Sequence, residues 1–495
     1  MYYLGLNKKK LIMSISRNKF KEHFLTQNLT LLLSLVGFGV TIYVARNTPN
    51  ISGTSLFFLL PLTFTACCIF FMDIIPYHRD GFGLKVLYSV LVVRYLVIPF
   101  LTCYVGFFSG SLYSADAYTY GIIMQIVELI VTCAIVKYYF QKTYKKCKAG
   151  YHSKAKRLEY DSLTLGGVLV LLFTLYVIYS RGLGKLLDSM RFLVLSEGIE
   201  EEAFYGYDIW MVHTAMAFLV IVVTGTFQRK EDVRPSIFNV VLPLTVAFFS
   251  CALSFGNNRM TMVYYAISAL AILLIAFPRQ KAFVSGTIIP TFLIVIVSFT
   301  MIKQFGYNIE KGGDTGLRED DIVTTVSAYV STTQNIAKAY DMYKLHGDQM
   351  SVGSVVADVI NGVTILQLPM FSSVRNIAKS SPTSISLAST STEVVPMAGQ
   401  TLFYGGYWLG WLLDIAFFII IIRLLLLTDC YSKMEKRLGN KYLLTWVSVT
   451  FAMIMTYNLS IIWSSLNATP LFTLCALWIN RKIRINKSFV KSRNG

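Results

Sequence analysis

The chain has 495 residues, of which 55% are hydrophobic and only 15% are charged, and its formal net charge is +18. Soluble proteins carry about 25% charged residues, so the composition excludes an ordinary soluble protein and indicates a polytopic membrane protein. Lysine and arginine concentrate in short segments between alternate apolar runs, which favours membrane topology over nucleic-acid binding as the reason for the charge.

Apolar runs long enough to cross a bilayer as helices recur along the whole chain, and only a helix satisfies its own backbone in lipid. We predict an all-α bundle of about twelve transmembrane helices. The predicted spans are 29–46, 54–75, 85–108, 118–139, 162–180, 209–227, 236–255, 260–277, 283–303, 401–426, 443–461 and 466–480. The first run has no convincing cleavage site after it, so we interpret it as a retained span and not a signal peptide.

The distribution of basic residues predicts the orientation. Segments 137–161, 228–235 and 423–441 are rich in lysine and arginine, whereas 108–117 contains neither. Because basic loops stay on the cytoplasmic side, we place these segments inside the cell, together with a basic N-terminus (1–28) and a basic tail (481–495). The nine spans within 29–303 and the three within 401–480 then leave both termini cytoplasmic.

Two predicted outside segments are too long to be simple turns, namely 181–208 and 304–400. Long loops in compact proteins are usually functional. Apolar and aromatic residues between Ile322 and Tyr343 recur near the spacing of one helical face, so 304–400 is predicted to be a partly helical external cap between the ninth and tenth spans. No internal repeat is visible, which weighs against a transporter built from two similar halves.

Three charged residues fall in the middle of predicted spans, away from the span ends. Arg94 and Glu128 lie at similar depths in the third and fourth spans, and because intramembrane charges are costly and commonly paired, we predict that they form an ion pair. Asp414, in the tenth span, has no obvious partner.

Basic residues also lie at the outer ends of several spans: Arg181, Arg191, Arg259 and Lys303. Arg259 ends the very short hairpin "GNNR", which would hold it rigidly. If these ends converge, they form a cationic cup that suits a diphosphate, since arginine binds phosphate oxygens with a planar fork. For each residue alone, the alternative is an interfacial anchor.

A general base could come from His213, about one turn into the sixth span, or from Glu393, just before the tenth. A hydrogen-bonded structural role is the simpler interpretation of His213. Aromatic residues Tyr404, Tyr407 and Trp408 could line a sugar-binding cleft, although interfacial anchoring explains them equally well. The eight cysteines form no CxxC pair and are interpreted as packing residues, so no metal site is predicted.

Four stretches together resemble a known family. They are "SRGLGKLLDSMR", "FGNNRMTMVYYAISALAILL", "MIKQFGYNIEKG" and "VVPMAGQTLFYGGYWLGWLLD". In their order and their shared side of the membrane they resemble the Wzy-type polymerases of O-antigen and capsular polysaccharide repeat units, including the polymerase of enterobacterial common antigen. The O-antigen ligases are related.

The resemblance implies a GT-C-like membrane glycosyltransferase fold and a metal-independent enzyme without cofactors. It would transfer a growing chain from undecaprenyl diphosphate to a new lipid-linked repeat unit, at the outer face of the bacterial cytoplasmic membrane. Arg191 and Arg259 would bind the diphosphate, with Lys303 and Arg181 assisting. The implied partners are lipid-linked donor and acceptor, the bilayer and a chain-length-regulating co-polymerase, with no nucleic acid.

The chain departs from this family at one point. Some relatives place a histidine shortly before the proline of the last motif, whereas "SLASTSTEVVP" has none. Either Glu393 takes that role, or His346 folds in from further away, or no such base is needed. A lipid-linked oligosaccharide transporter (flippase) and an O-antigen-type ligase remain the alternative hypotheses.

Overall fold

All regular elements of the described chain are helices. The computed structural model describes residues 28–49, 51–71, 81–106, 114–152, 158–181, 207–252, 259–291, 294, 323, 327, 330, 332–347, 353–367, 371, 373–374 and 395–483. Within these ranges there is no strand, and the sole β-type pairing is an isolated parallel bridge between Glu159 and Arg437. The predicted all-α class is therefore confirmed for the described residues.

The helices follow the apolar runs of the sequence. The first nine are α1 (Asn28–Asn47), α2 (Leu59–Phe70), α3 (Phe82–Val105), α4 (Ala115–His152), α5 (Leu165–Arg181), α6 (Tyr207–Val233), α7 (Phe238–Ala252), α8 (Arg259–Ala276) and α9 (Pro278–Thr291). The other six are α10 (Thr333–His346), α11 (Ser354–Asn361), α12 (Met397–Met434), α13 (Leu438–Ala452), α14 (Leu459–Asn467) and α15 (Thr469–Lys482).

Six stretches are long and apolar enough to cross a membrane: α1, α3, the 115–140 part of α4, the 210–233 part of α6, α12, and α14 with α15. A seventh is added if α8 and α9, which meet at a 111° bend, count as one broken span. These helices are compatible with a multi-pass membrane protein. Helices α2, α5 and α7 are apolar but shorter, so the predicted total of about twelve spans stays a prediction.

Apolar side chains on the outside of the bundle fit a lipid environment. On α1, Leu31, Leu35 and Phe38 are 56%, 64% and 56% exposed, and on α12 Trp408 is 90% exposed. A water-soluble monomer rarely exposes so many large apolar side chains together, whereas a bilayer covers them.

Polar contacts identify the two ends of the bundle. At one end the chain before α5 meets the start of α13: Glu159 N donates to Lys436 O (3.0 Å), and Arg481 Nε donates to Asp161 Oδ1 (2.8 Å). At the opposite end, where α4 begins, Ser114 donates to Asp341. We name these the Asp161 end and the Asp341 end.

Part of the long 304–400 segment packs into the bundle. Helix α10 lies against α4 and α12, and its residues Thr333, Asn335, Ile336 and Ala339 are buried. Helix α10 therefore contributes to the interior of the bundle, and does not simply cover its end.

Candidate functional site

Two of the four cations of the sequence-predicted cup, Arg191 and Lys303, lie outside the described residues, and so does the candidate base Glu393. Arg181 is the last residue of α5 and Arg259 is the first residue of α8, so the backbone places both at helix ends. The convergence of these cations stays a prediction.

His213 is described and lies in the interior. It sits near the start of α6, is 7% exposed, and its ring is 5.6 Å from the ring of Tyr265 in an edge-to-face contact. Tyr265 lies near the start of α8, the helix that Arg259 begins. The structure thus brings His213 to the first turns of that helix, in a packed environment that agrees with the structural interpretation.

An aromatic cluster continues inward from this contact. The ring of Tyr265 lies 4.6 Å from that of Trp446, and Tyr264 and Tyr442 lie 5.5 and 6.2 Å from the same indole. Trp446 Nε1 donates to the carbonyl of Ser465 at 3.3 Å. The interior between α8, α13 and α14 is therefore aromatic with embedded hydroxyl and N–H groups.

Helical structure is interrupted between α13 and α14, over residues 453–458. Asn458 caps the start of α14, its Oδ1 accepting from Ile461 N at 3.0 Å, and its Nδ2 donates to the carbonyl of Val395 at 3.1 Å. Non-helical backbone at membrane depth is tolerated only where protein or water satisfies its polar groups. These side-chain contacts supply part of that compensation.

The ion pair of Arg94 and Glu128 lies beside this interruption, and the buried Asp414 is close enough to interact with it electrostatically. Arg94 Nη2 is 2.9 Å from Glu128 Oε2, with both side chains fully buried, so the predicted ion pair is confirmed. Arg94 Nη1 also donates to the carbonyl of Met455 at 2.8 Å. Asp414, 1% exposed, interacts electrostatically with both members of the pair. Sequence reasoning found no partner for Asp414 because its neighbours lie on α3 and α4, far away along the chain.

The start of α10 reaches the same cluster. With the Gln125 amide oriented to suit its neighbours, its Oε1 accepts from Arg94 Nε (3.2 Å) and Thr333 N (2.9 Å), and its Nε2 donates to Thr333 Oγ1 (3.0 Å). A small cavity lies between these groups, lined in part by Arg94, Thr102, Gln125 and Gln334. The sequence signal for this helix start was the polar run "TTQN" after residue 331, which is typical of an N-cap region.

Arg94 also occupies an unusual piece of backbone. Residues Val93–Val97 form a π-helical turn within α3. Such single-turn bulges frequently occur at functional sites. Arg94 and Tyr95 both lie in this turn and are fully buried. The Tyr95 hydroxyl donates to the carbonyl of Gln125 at 2.6 Å.

Another buried carboxylate connects α11, from the long segment, to the bundle. Asp358 of α11 accepts hydrogen bonds from the Tyr404 hydroxyl (2.5 Å) and Gln400 Nε2 (2.9 Å). Gln400 Oε1 in turn accepts from Leu459 N at 2.7 Å, and Ser460 Oγ donates to the Asp358 carbonyl at 2.6 Å. Tyr404 is 2% exposed and its hydroxyl is bound to Asp358, so it does not line an open sugar cleft.

Four tyrosines meet where α12 bends. The ring of Tyr340 lies 5.0 Å from Tyr120 and 5.2 Å from Tyr407, and Tyr343 lies 5.2 Å from Tyr407. Tyr407 is 39% exposed, and Lys344 Nζ sits 4.8 Å from the centre of the Tyr340 ring. Of the three aromatics considered from sequence, Tyr407 joins this cluster, whereas Trp408 points outward.

The part of the chain that the structure describes contains no group of three or more His, Cys, Asp or Glu side chains arranged to hold a metal ion. In comparisons with family models, curated proteins and solved structures, nothing matches this chain.

Proposed function

We propose that this protein is a membrane glycosyltransferase that polymerises undecaprenyl-diphosphate-linked oligosaccharide repeat units. It would work at the outer face of the bacterial cytoplasmic membrane, in a bundle of about twelve spans related to GT-C-like folds. The proposal combines the four motif stretches with the helical bundle of apolar helices.

One observation carries the proposal: helix α10, from the long segment between the ninth and tenth predicted spans, packs into the bundle beside the proline and double-glycine motif. Pro396 precedes α12, and Gly406 interrupts it with φ 64°. Tyr340 and Tyr343 of α10 pack on Tyr407, which directly follows this interruption. An aromatic, half-exposed surface at the Asp341 end suits a saccharide, whose C–H faces stack on rings while its hydroxyls meet polar side chains.

In the proposed reaction the acceptor hydroxyl attacks the sugar carbon bound to the lipid diphosphate, and the diphosphate departs with the lipid. Arg191, Arg259, Lys303 and Arg181 would stabilise the negative charge that grows on the diphosphate, which lowers the barrier without a metal. Glu393 would take the acceptor's proton, with His213 as the alternative base. The lipid-linked donor and acceptor, and a chain-length-regulating co-polymerase, would be the partners.

The test is reconstitution of the purified full chain in liposomes with a lipid-diphosphate oligosaccharide, followed by separation of products by length. A ladder of products supports the polymerase, and a single fixed transfer indicates a ligase. Arg259→Ala should reduce extension by about 10²-fold or more, as when one transition-state donor is removed. The matched control is Arg279→Ala, an exposed arginine just beyond the other end of α8. Unchanged extension by Arg259→Ala would contradict the assigned role.

A transporter is the second candidate, because Arg94, Glu128 and Asp414 are buried beside a helix interruption. Transporters commonly place ion and substrate sites near the bilayer midplane at broken helices. The same liposomes distinguish the two functions: a transporter moves unaltered lipid-linked oligosaccharide to the opposite leaflet and makes no longer product.

A further inference from the structure

Asp414 is a buried carboxyl group without hydrogen bonds in the middle of α12. It is 1% exposed, and neither of its carboxyl oxygens accepts a hydrogen bond from any group in the described ranges. By contrast Asp429, further along the same helix, accepts hydrogen bonds from Gly83 N (3.2 Å) and Leu84 N (3.0 Å) and from the Ser448 hydroxyl. One helix thus carries a satisfied and an unsatisfied buried aspartate.

The charges around Asp414 do not balance if every group is ionised. The groups that act on it are Glu128 from α4 and Arg94 from α3, and Arg94 is already engaged by Glu128 at 2.9 Å. Two carboxylates and one guanidinium leave one uncompensated negative charge. An unpaired charge in a low-dielectric interior is far more costly than its neutral form.

The other described neighbours of the cluster do not supply a second cation. Helix α10 contributes Thr333, and the interruption before α14 contributes the carbonyl of Met455, both uncharged. The ionisable neighbours from α3 and α4 are the hydroxyls of Tyr95 and Tyr120, and both interact electrostatically with the acidic groups. A single proton is therefore the simplest species that restores neutrality.

We propose that Asp414 holds one exchangeable proton inside the bundle, while Glu128 stays ionised against Arg94. The bound proton makes the cluster of Arg94, Glu128 and Asp414 neutral overall. A cavity of about 10 Å³, close to the volume that one water molecule needs, is lined in part by Arg94 and Gln125 and lies on the arginine side of the cluster. This site is independent of the proposed glycosyltransferase chemistry.

The experiment uses dicyclohexylcarbodiimide, an apolar reagent that modifies protonated carboxyl groups, on the purified full chain in liposomes across a pH series. Peptide mass spectrometry locates the adducts. We expect labelling at Asp414 that falls about tenfold per pH unit above the midpoint, as for a one-proton site. Asp429, with its hydrogen bonds filled, is the internal control and should stay unlabelled.

Two further measurements guard against poor reagent access. The infrared spectrum should contain a protonated-carboxyl band that disappears in Asp414→Asn, because asparagine replaces the neutral acid. The same variant should fold and melt like the parent, since a neutral amide reproduces the protonated form, whereas Glu128→Gln should be strongly destabilised. If the infrared band is unchanged, or if Asp414→Asn melts as poorly as Glu128→Gln, Asp414 is ionised and the proposal is wrong.

Discussion

The hydroxyl of Tyr343 lies close to the position that a side chain on Gly406 would occupy. A Cβ built on Gly406 would stand 2.7 Å from Tyr343 Oη, and Gly406 has a φ of 64°, a value that side chains disfavour. The bend in α12 and the docking of α10 therefore depend on the same glycine.

Gly406→Ala should destabilise the protein by about 1–3 kcal/mol, because alanine meets both the strained backbone angle and the tyrosine hydroxyl. The measurement is the thermal unfolding midpoint of the purified protein in detergent. Combining it with Tyr343→Phe separates the two effects, since this change removes the hydroxyl but leaves the backbone strain, so stability should return in part.

The matched control for that glycine is Gly39→Ala in α1. A Cβ built on Gly39 would have no neighbouring atom of the described chain within 4 Å, and Gly39 lies within a regular helix, so alanine there should be neutral or slightly stabilising. Equal losses in Gly39→Ala and Gly406→Ala would show that the bend makes no special demand.

The second prediction concerns the fork between Arg481 and Asp161. Arg481 Nε and Nη2 donate to the two oxygens of Asp161 at 2.8 and 3.1 Å, and Nη2 also donates to Asn440 at 3.1 Å. Lysine cannot reproduce this planar geometry. Arg481→Lys should therefore cost about 1–3 kcal/mol of stability, as expected for hydrogen bonds to a charged group.

The control for the fork is Lys482→Ala, since Lys482 is the adjacent, exposed cation. Its loss should leave the unfolding midpoint unchanged. If Arg481→Lys is as stable as the parent in the same melting experiment, the fork does not stabilise the junction of α5, α13 and α15.

The third prediction is an acid dependence that arises at Glu435. Partial burial opposes ionisation, but hydrogen bonds from the backbone N–H groups of Arg437 and Lys436, a hydrogen bond from Asn440 and the charge of Arg437 together lower the pKa of Glu435 below its usual range. The two backbone nitrogens lie 3.0 and 2.8 Å from Glu435 Oε1.

Because the folded-state pKa of Glu435 is lowered, its contribution to stability is fully present above the ordinary glutamate pKa of about 4.3 and is lost as the pH falls through the lowered value. Glu435→Gln should remove this acid-dependent part of the unfolding free energy. Melting curves between about pH 3 and pH 6 measure it. The control variant, Glu159→Gln, should keep the acid dependence of the unfolding free energy. If both variants lose that dependence, it does not arise at Glu435.

The fourth prediction tests orientation. Asp116, at the Asp341 end, and Glu159, at the Asp161 end, have side chains that are 76% and 59% exposed. In intact cells, an impermeant maleimide should label Asp116→Cys but not Glu159→Cys, which should react only after permeabilisation. Peptide mass spectrometry identifies the labelled site, and the reverse pattern would overturn the predicted topology.

Hydropathy predicted the helical class but not the continuity of the helices. It treats every apolar window alike, so it predicted 260–277 and 283–303 as two spans. It did not predict the 111° bend at which α8 and α9 meet. It also cannot detect α10 as a buried element, because the start of that helix is polar and becomes buried only through contacts with α4 and α12. Local sequence contains no information on those distant contacts.

The ion pair of Arg94 and Glu128 was predictable because an intramembrane charge requires a partner and only a few candidates exist. The contacts of Arg94 with Gln125 and the Met455 carbonyl were not predictable in the same way. These contacts depend on the position of the start of α10 and of the interruption between α13 and α14. Contacts between residues far apart in the sequence set both positions. Two of the four outer cations, Arg191 and Lys303, lie outside the described residues, so the convergence of the four stays a prediction.

The contact between Arg94 and residue 455 is made by a peptide carbonyl, not a side chain. The Met455 side chain itself is fully buried in the apolar core, so position 455 requires an apolar residue that fits there, but the hydrogen bond to Arg94 does not depend on which one. Among related sequences Arg94 should vary together with Glu128, while position 455 should change among apolar residues independently of that pair.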